Sequence, residues 1–197
     1  MSENCIVYSL NAQELDVSKK EVLRYLKAAE MTCETEQLID ECIENVRRVA
    51  SPKSVYIESK VEALNDETIR LDFAELKSCG LAKTLNGCKK VYIFAATLGI
   101  ELDRLIEKYS KFAQSKATVC HAIGSALIES FCDRVNKELV GEKDATKRFS
   151  PGYGDLSLET QPIVLKALDA ERKIGIILGE TLLMQPSKSV TAIIGIK

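Results

Sequence analysis

The spacing of apolar residues in the first fifty positions predicts one short strand and two helices. An apolar run at 5–10 predicts the strand. A capping-box pattern beginning at Ser18 predicts a helix that continues to about Ala29. A second helix is predicted where Thr35 provides the N-cap and Pro52 lies just past the end of the helical pattern.

The middle of the chain predicts a β-hairpin, a buried strand and two further helices. Segments 54–62 and 67–73 are rich in β-branched and apolar residues, and the Asn-Asp pair between them favours a tight turn. Residues 90–97 form a nearly continuous apolar run typical of a buried strand. Helical periodicity follows at 100–112 and again at 115–140, where one long helix is predicted.

The C-terminal part predicts a short helix and two core strands, and it completes a single α+β domain over 1–197. The helix is predicted at 158–170, with a proline near its first turn, and the strands at 174–178 and 189–196. We expect an antiparallel or mixed sheet with flanking helices. Residues 1–88 are predicted to be an N-terminal helical and hairpin layer, and residues 89–197 the core that carries the site.

Composition and charge make several classes of protein improbable. The chain has 197 residues, of which 46% are hydrophobic and 28% charged, and this profile is typical of a soluble globular protein. Its net charge of −2 gives no reason to expect a nucleic acid or an anionic membrane as partner. The apolar runs are too short to span a bilayer and no signal-peptide pattern is visible, so we expect a cytoplasmic protein.

The seven cysteines do not suggest a metal site, because their number is odd and no two of them have a C-x-x-C spacing. Cys42, Cys120 and Cys132 lie in apolar helical patterns, where a free thiol behaves as a small hydrophobic side chain. We therefore expect reduced, structural cysteines. The chain also lacks the motifs of dinucleotide-binding proteins, P-loop enzymes, zinc proteases and serine hydrolases.

The best candidate for ligand chemistry is the segment 148–156, with the sequence R-F-S-P-G-Y-G-D-L. Its Pro-Gly pair fixes one backbone position and frees the next, so the main chain can approach a ligand closely. Arg148 offers a planar bidentate donor for a carboxylate, and Tyr153 offers an aromatic face and a hydroxyl group. An isolated loop of this composition is usually an ordinary surface turn, and the loop alone does not decide between the two interpretations.

Three segments, in order along the chain, resemble those of a known family. Residues 148–153 resemble the R-x-[SA]-P-G-Y loop of the activation domain of cobalamin-dependent methionine synthase. Residues 179–190, G-E-T-L-L-M-Q-P-S-K-S-V, are similar to the family's T-E-S-x-x-M-x-P-x-x-S-V segment. Residues 127–131, L-I-E-S-F, resemble its L-A-E-A-F helix. The resemblance covers 119–196 well and the first ninety residues loosely.

The resemblance implies a C-shaped domain whose curved sheet surrounds S-adenosylmethionine. In that family the bound cofactor methylates cobalt after cob(I)alamin has been oxidised to cob(II)alamin, with an electron from a flavodoxin- or ferredoxin-type donor. The chain is too short for the other domains of methionine synthase and lacks the cobalamin-binding motif. The resemblance therefore implies a stand-alone activation subunit, and cobalamin would be carried by a methionine synthase partner. The chain would be one component of a methyltransferase system rather than a self-sufficient enzyme.

Roles for individual residues also follow from the resemblance. Arg148 would hold the methionyl carboxylate, while Glu129 and Glu142 would meet the α-amino group or the sulfonium. Tyr153 would cover the reactive end, and the loop backbone would fix polar edges of the ligand. No catalytic or metal-ligating residue is expected. The candidate residues for binding S-adenosylmethionine are Arg148, Ser150, Pro151, Gly152, Tyr153, Glu129 and Glu142.

His121 and the segment after Tyr153 depart from what a complete methionine synthase requires. His121 and Gly124 echo half of the cobalamin motif D-x-H-x-x-G, but Val119 stands where the motif needs an aspartate. Without a carboxylate to orient the imidazole, His121 is predicted to be an ordinary core or surface histidine. After Tyr153 the family usually continues P-A-C-P, whereas this chain reads G-D-L-S.

Two other functions are compatible with the sequence. The chain could be a non-catalytic module that binds S-adenosylmethionine and senses or docks onto a corrinoid protein. It could also be a relative of the family that has acquired a different ligand. Methyl transfer in the presence of the partner distinguishes an activation subunit from a sensor, and failure to bind S-adenosylmethionine indicates the changed ligand.

Overall fold

The computed structural model describes residues 5–28 and 30–197, which form an α+β fold built on a six-stranded antiparallel sheet. The strands, in chain order, are β1 (Ile6–Ser9), β2 (Lys53–Asn65), β3 (Thr68–Leu71), β4 (Glu75–Lys77), β5 (Lys90–Thr97), β6 (Ile177–Leu178), β7 (Met184–Gln185) and β8 (Ser189–Ile196). The sheet order is β4-β3-β2-β5-β8, and β1 pairs with the first part of β2. β6 and β7 form a separate two-stranded sheet.

Helices pack on both faces of this sheet. They are α1 (Lys19–Leu26), α2 (Cys33–Val49), α3 (Cys79–Thr84), α4 (Ile100–Ser110), α5 (Gln114–Val140), α6 (Gln161–Leu168) and α7 (Ala170–Ile174). Short 3₁₀ turns occur at Ala12–Glu14 and Leu158–Thr160. Within the described residues, no helix combines the length and the apolar character needed to cross a membrane.

β5 is central, and its side chains alternate between two hydrophobic cores. It pairs with β2 on one side and with β8 on the other along its whole length. Phe94 and Ala96 enter the core formed with α1, α2, α4 and α5, whereas Ile93 and Ala95 enter the core on the opposite face. Because both faces of β5 are covered, the strand reads as a continuous apolar run rather than as an alternating one. The strands before and after residue 88 thus share one sheet.

α5 is the longest helix, and it carries most of the first core. The predicted stripe of Val119, Ile123, Leu127 and Phe131 is buried, with at most 5% exposure of any member. Cys120 and Cys132 on this helix, and Cys42 on α2, are fully buried and free, as their apolar surroundings predict. Burial raises the pKa of Cys132 to about 12, so this thiol stays protonated.

Two predictions of helix starts need refinement. Ser18 caps α1 as predicted, because its Oγ accepts a hydrogen bond from Glu21 N at 3.4 Å. The reciprocal half of the capping box is replaced by a hydrogen bond that Arg24 donates to the Glu21 carboxylate. The prediction for α2 was wrong: Thr32, not Thr35, is its N-cap, and Thr32 Oγ1 accepts from Thr35 N at 3.2 Å. α1 ends at Leu26, before the predicted end at about Ala29, because its C-cap Lys27 adopts a left-handed φ of 54°; Ala29 itself lies outside the described residues.

The region after the central loop also differs from the prediction. The predicted helix 158–170 is broken at Asp169, which has a left-handed φ of 51°. The predicted core strand 174–178 is wrong, because Ile174 ends α7 and only Ile177–Leu178 is extended. That short strand pairs with β7 outside the main sheet.

Candidate ligand site

The candidate loop is held at the free edge of β8. Phe149 N donates to Ile193 O at 2.9 Å, and Ile193 N donates to Phe149 O at 2.8 Å. Thr146 N donates to Gly195 O at 2.9 Å, so the segment before the loop follows β8 like an additional strand. Neighbouring side chains of an extended backbone point to opposite faces. Phe149 therefore enters the core beside α6, and Arg148 lies on the side of α5.

The turn that follows depends on two glycines. Gly152 has φ of +83° and Gly154 has φ of +58°, a left-handed region that other residues resist. Gly152 N donates to Leu156 O at 2.8 Å, and Tyr153 N donates to Ser150 O at 3.0 Å. Leu156 is only 1% exposed and fixes the far end of the turn in the core. The Ser-Pro-Gly-Tyr backbone is consequently ordered by hydrogen bonds at both ends.

The turn displays an aromatic side chain to solvent. Tyr153 is 67% exposed, and its ring packs edge-to-face against Phe149 with 5.4 Å between the ring centroids. A large exposed aromatic residue supported by a buried one is well placed to cover a ligand.

Asp155 anchors the loop to α3, and the amino-acid sequence did not indicate this role. Its carboxylate accepts hydrogen bonds from Ser78 Oγ at 2.5 Å, from Cys79 N at 2.6 Å and from Gly80 N at 3.1 Å. The Ser78 hydroxyl, followed by the backbone donors, lowers the pKa of Asp155. A Cβ atom on Gly80 would lie 2.9 Å from Asp155 Oδ1, so the close approach needs glycine there. Where the loop departs from the family's P-A-C-P continuation, this chain thus has its own anchor.

Arg148 lies between two carboxylates of α5. Its Nη2 donates to Glu129 Oε2 at 3.0 Å, and its Nη1 lies 3.0 Å from Asp133 Oδ1. Nη1 and the Asp133 carboxylate are close enough for Coulomb attraction, but the N–H groups of Nη1 do not point at Asp133 Oδ1 in hydrogen-bond geometry. Within the described residues, Nη1 is a buried donor without a hydrogen-bond acceptor. One N–H group of the guanidinium is therefore unsatisfied, which is costly for a buried donor.

The structure brings some predicted residues together and leaves one apart. Arg148 and Glu129 are in direct contact. The predicted loop residues 150–153 follow Arg148 in the same turn. Glu142 is exposed, and the carboxylates in contact with Arg148 within 5–28 and 30–197 are those of Glu129 and Asp133. The expected role of Glu142 towards a ligand stays a prediction. Asp133 was missed, although its position four residues after Glu129 places it on the same side of α5.

The comparisons with known proteins bear on the fold. No protein-family model matches the chain, and no curated protein sequence matches it. The sheet of this chain is a strongly curled antiparallel half-barrel with flanking helices, and this fold matches that of a solved reactivation-domain structure. That structure is the crystal structure of the MetH reactivation domain bound to AdoHcy, with a TM-score of 0.78 and 13% sequence identity. The similarity covers 97% of this chain and 78% of that one.

This similarity confirms the fold that the three sequence segments predicted. At 13% identity it concerns the arrangement of the backbone, and the chemistry of the site has to be argued from the side chains of this chain.

Proposed function

We propose that this chain binds S-adenosylmethionine at the Arg148–Tyr153 loop and is an activation subunit for a cobalamin-dependent methionine synthase. The observation that carries the proposal is its fold likeness to a reactivation domain bound to AdoHcy. AdoHcy is what remains of S-adenosylmethionine after the methyl group has left. The Arg148–Glu129 pair supports the proposal independently, because it offers the charges that the amino-acid end of this ligand needs.

The ion pair complements a zwitterion. The ligand carboxylate would accept from Arg148 Nη1, which has no hydrogen-bond acceptor in the described structure, once the 74% exposed Asp133 side chain turns away from it. The ligand α-amino group would lie against Glu129, whose side chain is 50% exposed and can turn to a second partner. Each ligand charge would then meet its opposite, which offsets the loss of water around both. The backbone of Ser150, Pro151 and Gly152 would fix the ligand's polar edges.

The chain's part in the reaction is positioning. When bound, S-adenosylmethionine supplies an electrophilic methyl group on a sulfonium. Tyr153, which is exposed at the tip of the loop, would cover this end and direct it outwards. The acceptor would be the reduced cobalt of cobalamin on a partner methionine synthase subunit, with the electron supplied by a flavodoxin- or ferredoxin-type protein. An exposed site edge suits a partner that docks briefly and then leaves.

We expect the isolated protein to bind S-adenosylmethionine in titration calorimetry. A matched ligand, 5′-methylthioadenosine, keeps the nucleoside and the sulfur but lacks the amino-acid end. Since the Arg148–Glu129 pair can act only on that end, this ligand should bind at least about tenfold more weakly, as expected for the loss of one charged hydrogen bond. Equal affinity for the two ligands, or no binding of S-adenosylmethionine, contradicts the proposal.

A further inference from the structure

The side chain of Lys188, the residue that precedes β8, is buried against α5 at Ser125, one helical turn before Glu129. Lys188 is 6% exposed, and its Nζ lies 2.9 Å from Ser125 Oγ. The same nitrogen is 3.3 Å from both Nδ1 and Nε2 of His121, a midway position that is aligned with the lone pair of neither. Ser125 Oγ donates its own proton to His121 O at 3.1 Å, so Ser125 acts only as an acceptor for Lys188.

The charge of this lysine is not balanced by a neighbouring carboxylate. Within residues 5–28 and 30–197, no carboxylate forms an ion pair with Lys188. Asp103 on α4 acts from a distance, because its oxygens accept hydrogen bonds from Ser187 N at 2.7 Å and from Ser187 Oγ at 2.6 Å. A buried ammonium without an anion is costly. Accordingly, burial lowers the pKa of Lys188 to about 8, against the opposing effect of Asp103.

The lysine is held in place by the fold. Lys188 O accepts from Leu98 N at 3.0 Å, which fixes its backbone beside the end of β5. Its aliphatic stem crosses α5 at Gly124, where a Cβ atom would lie 3.1 Å from Lys188 Cε. In the family's M-x-P-x-x-S-V pattern, Lys188 occupies the second of the two unspecified positions after the proline.

A cleft opens beside this cluster, between α1, α4 and α5. Its volume is about 370 Å³, and His121 and Ser125 form part of its wall. Lys188 does not itself line the cleft; its Nζ lies behind this wall, in contact with His121 and Ser125. The other polar groups that line it, Ser110, Gln114 and Thr118, are uncharged. The remaining wall is formed by the largely apolar side chains of Tyr25, Leu26, Ile106, Ala117 and Ala122.

We propose that this cleft is a second ligand site, in which Lys188, reached between His121 and Ser125, binds the carboxylate of a small molecule whose apolar body packs against α1 and α4. A carboxylate supplies the missing counter-charge and accepts the N–H bonds that Ser125 does not use. A phosphate dianion needs more donors than one ammonium beside a neutral imidazole provides, and a cation would be repelled. The site goes beyond the proposed function and does not rest on it.

The first test uses phenylacetate as the probe and phenethylamine, with the same ring and the opposite charge, as the control. Binding is followed by NMR on protein with ¹³C-labelled lysine, which reports the pKa of Lys188 directly. We expect phenylacetate to bind and to raise that pKa, and phenethylamine not to bind. The ammonium of a lysine with pKa near 8 is mostly present at about pH 7 and mostly lost at about pH 9, so phenylacetate affinity should fall about tenfold over this range.

A variant isolates the contribution of Lys188 from the other titratable groups at the site. These are His121 on α5, Asp103 on α4 and Tyr25 on α1; burial and the charge of Lys188 lower the pKa of His121, which keeps it neutral above about pH 7. Lys188→Met keeps all three and should weaken phenylacetate binding at least about tenfold while removing its pH dependence. Lys108→Met, which removes an exposed ammonium of α4, should change neither.

The outcomes separate this site from the proposed function. Saturating S-adenosylmethionine should leave the phenylacetate affinity unchanged, whereas displacement would show one shared site and overturn the inference. It would also be overturned if neither probe bound, if both bound equally, or if binding were independent of pH. Should Lys188→Met fail to fold, the pH profile and the Lys188 pKa of the wild-type protein decide the question alone.

Discussion

Arg148→Ala is expected to weaken S-adenosylmethionine binding by about 1.5–3 kcal/mol, which is roughly 10- to 150-fold. The variant removes the charged donor that would hold the ligand carboxylate. Glu129 and Asp133 then remain on α5 without their cation, and their negative charges oppose a carboxylate at this place. Both side chains are at least half exposed, so water solvates them and the fold should be retained.

Calorimetry on matched variants measures this effect. Arg134→Ala is the control, because Arg134 is an exposed arginine of the same helix and its loss changes the net charge equally. Arg148→Lys should be intermediate, since it keeps the charge but loses the planar fork. If the Arg148→Ala protein bound S-adenosylmethionine as tightly as the Arg134→Ala protein, Arg148 would have no role in the site.

Phe149→Ala is expected to lower the free energy of unfolding by about 3 kcal/mol, at the low end of the range for a buried phenylalanine. Phe149 is 7% exposed and packs in the core beside β8, where its backbone also pairs with Ile193. Loss of the ring leaves a cavity and removes the support of the Tyr153 ring. Urea denaturation followed by circular dichroism gives the difference.

Tyr153→Ala is the control for this experiment. Tyr153 is exposed, so its truncation should change the free energy of unfolding by less than about 1 kcal/mol. The two neighbouring aromatic residues would then have separate tasks, one in stability and the other at the ligand. Equal destabilisation by the two substitutions would mean that Tyr153 is a structural residue as well.

Long elements with a strong pattern were predictable from sequence. β5 has the predicted limits, and α5 begins one residue before its prediction. One short apolar segment was not predictable in this way. The sequence I-G-I-I-L at 174–178 suits a strand by composition, but Gly175 adopts a left-handed φ of 74° as the C-cap of α7 and only two residues extend beyond it. Local composition does not contain that choice, because the packing of Ile174 and Ile176 in the second core decides it.

The site was predictable where its residues are close in sequence. The loop 148–153 could be recognised as a unit from its Arg, Pro, Gly and Tyr residues together with the family resemblance. Asp155 could not be assigned, because its partners Ser78, Cys79 and Gly80 lie more than seventy residues away along the chain. Lys188 was likewise hidden, since only the fold places it against His121 and Ser125. Periodicity and local motifs do not reveal contacts between segments that are distant in sequence.

The most direct measurement of the central claim is the cobalt absorbance spectrum of a cobalamin-loaded methionine synthase partner. It is followed over time with this protein, S-adenosylmethionine and a low-potential electron donor. We expect methylcobalamin to form only when all components are present, and to form more slowly with Glu129→Ala or Tyr153→Ala. Binding of S-adenosylmethionine without formation of methylcobalamin on the cognate partner would contradict the activation role and indicate a sensor. Methyl transfer by the chain alone to a small acceptor would contradict the need for a partner.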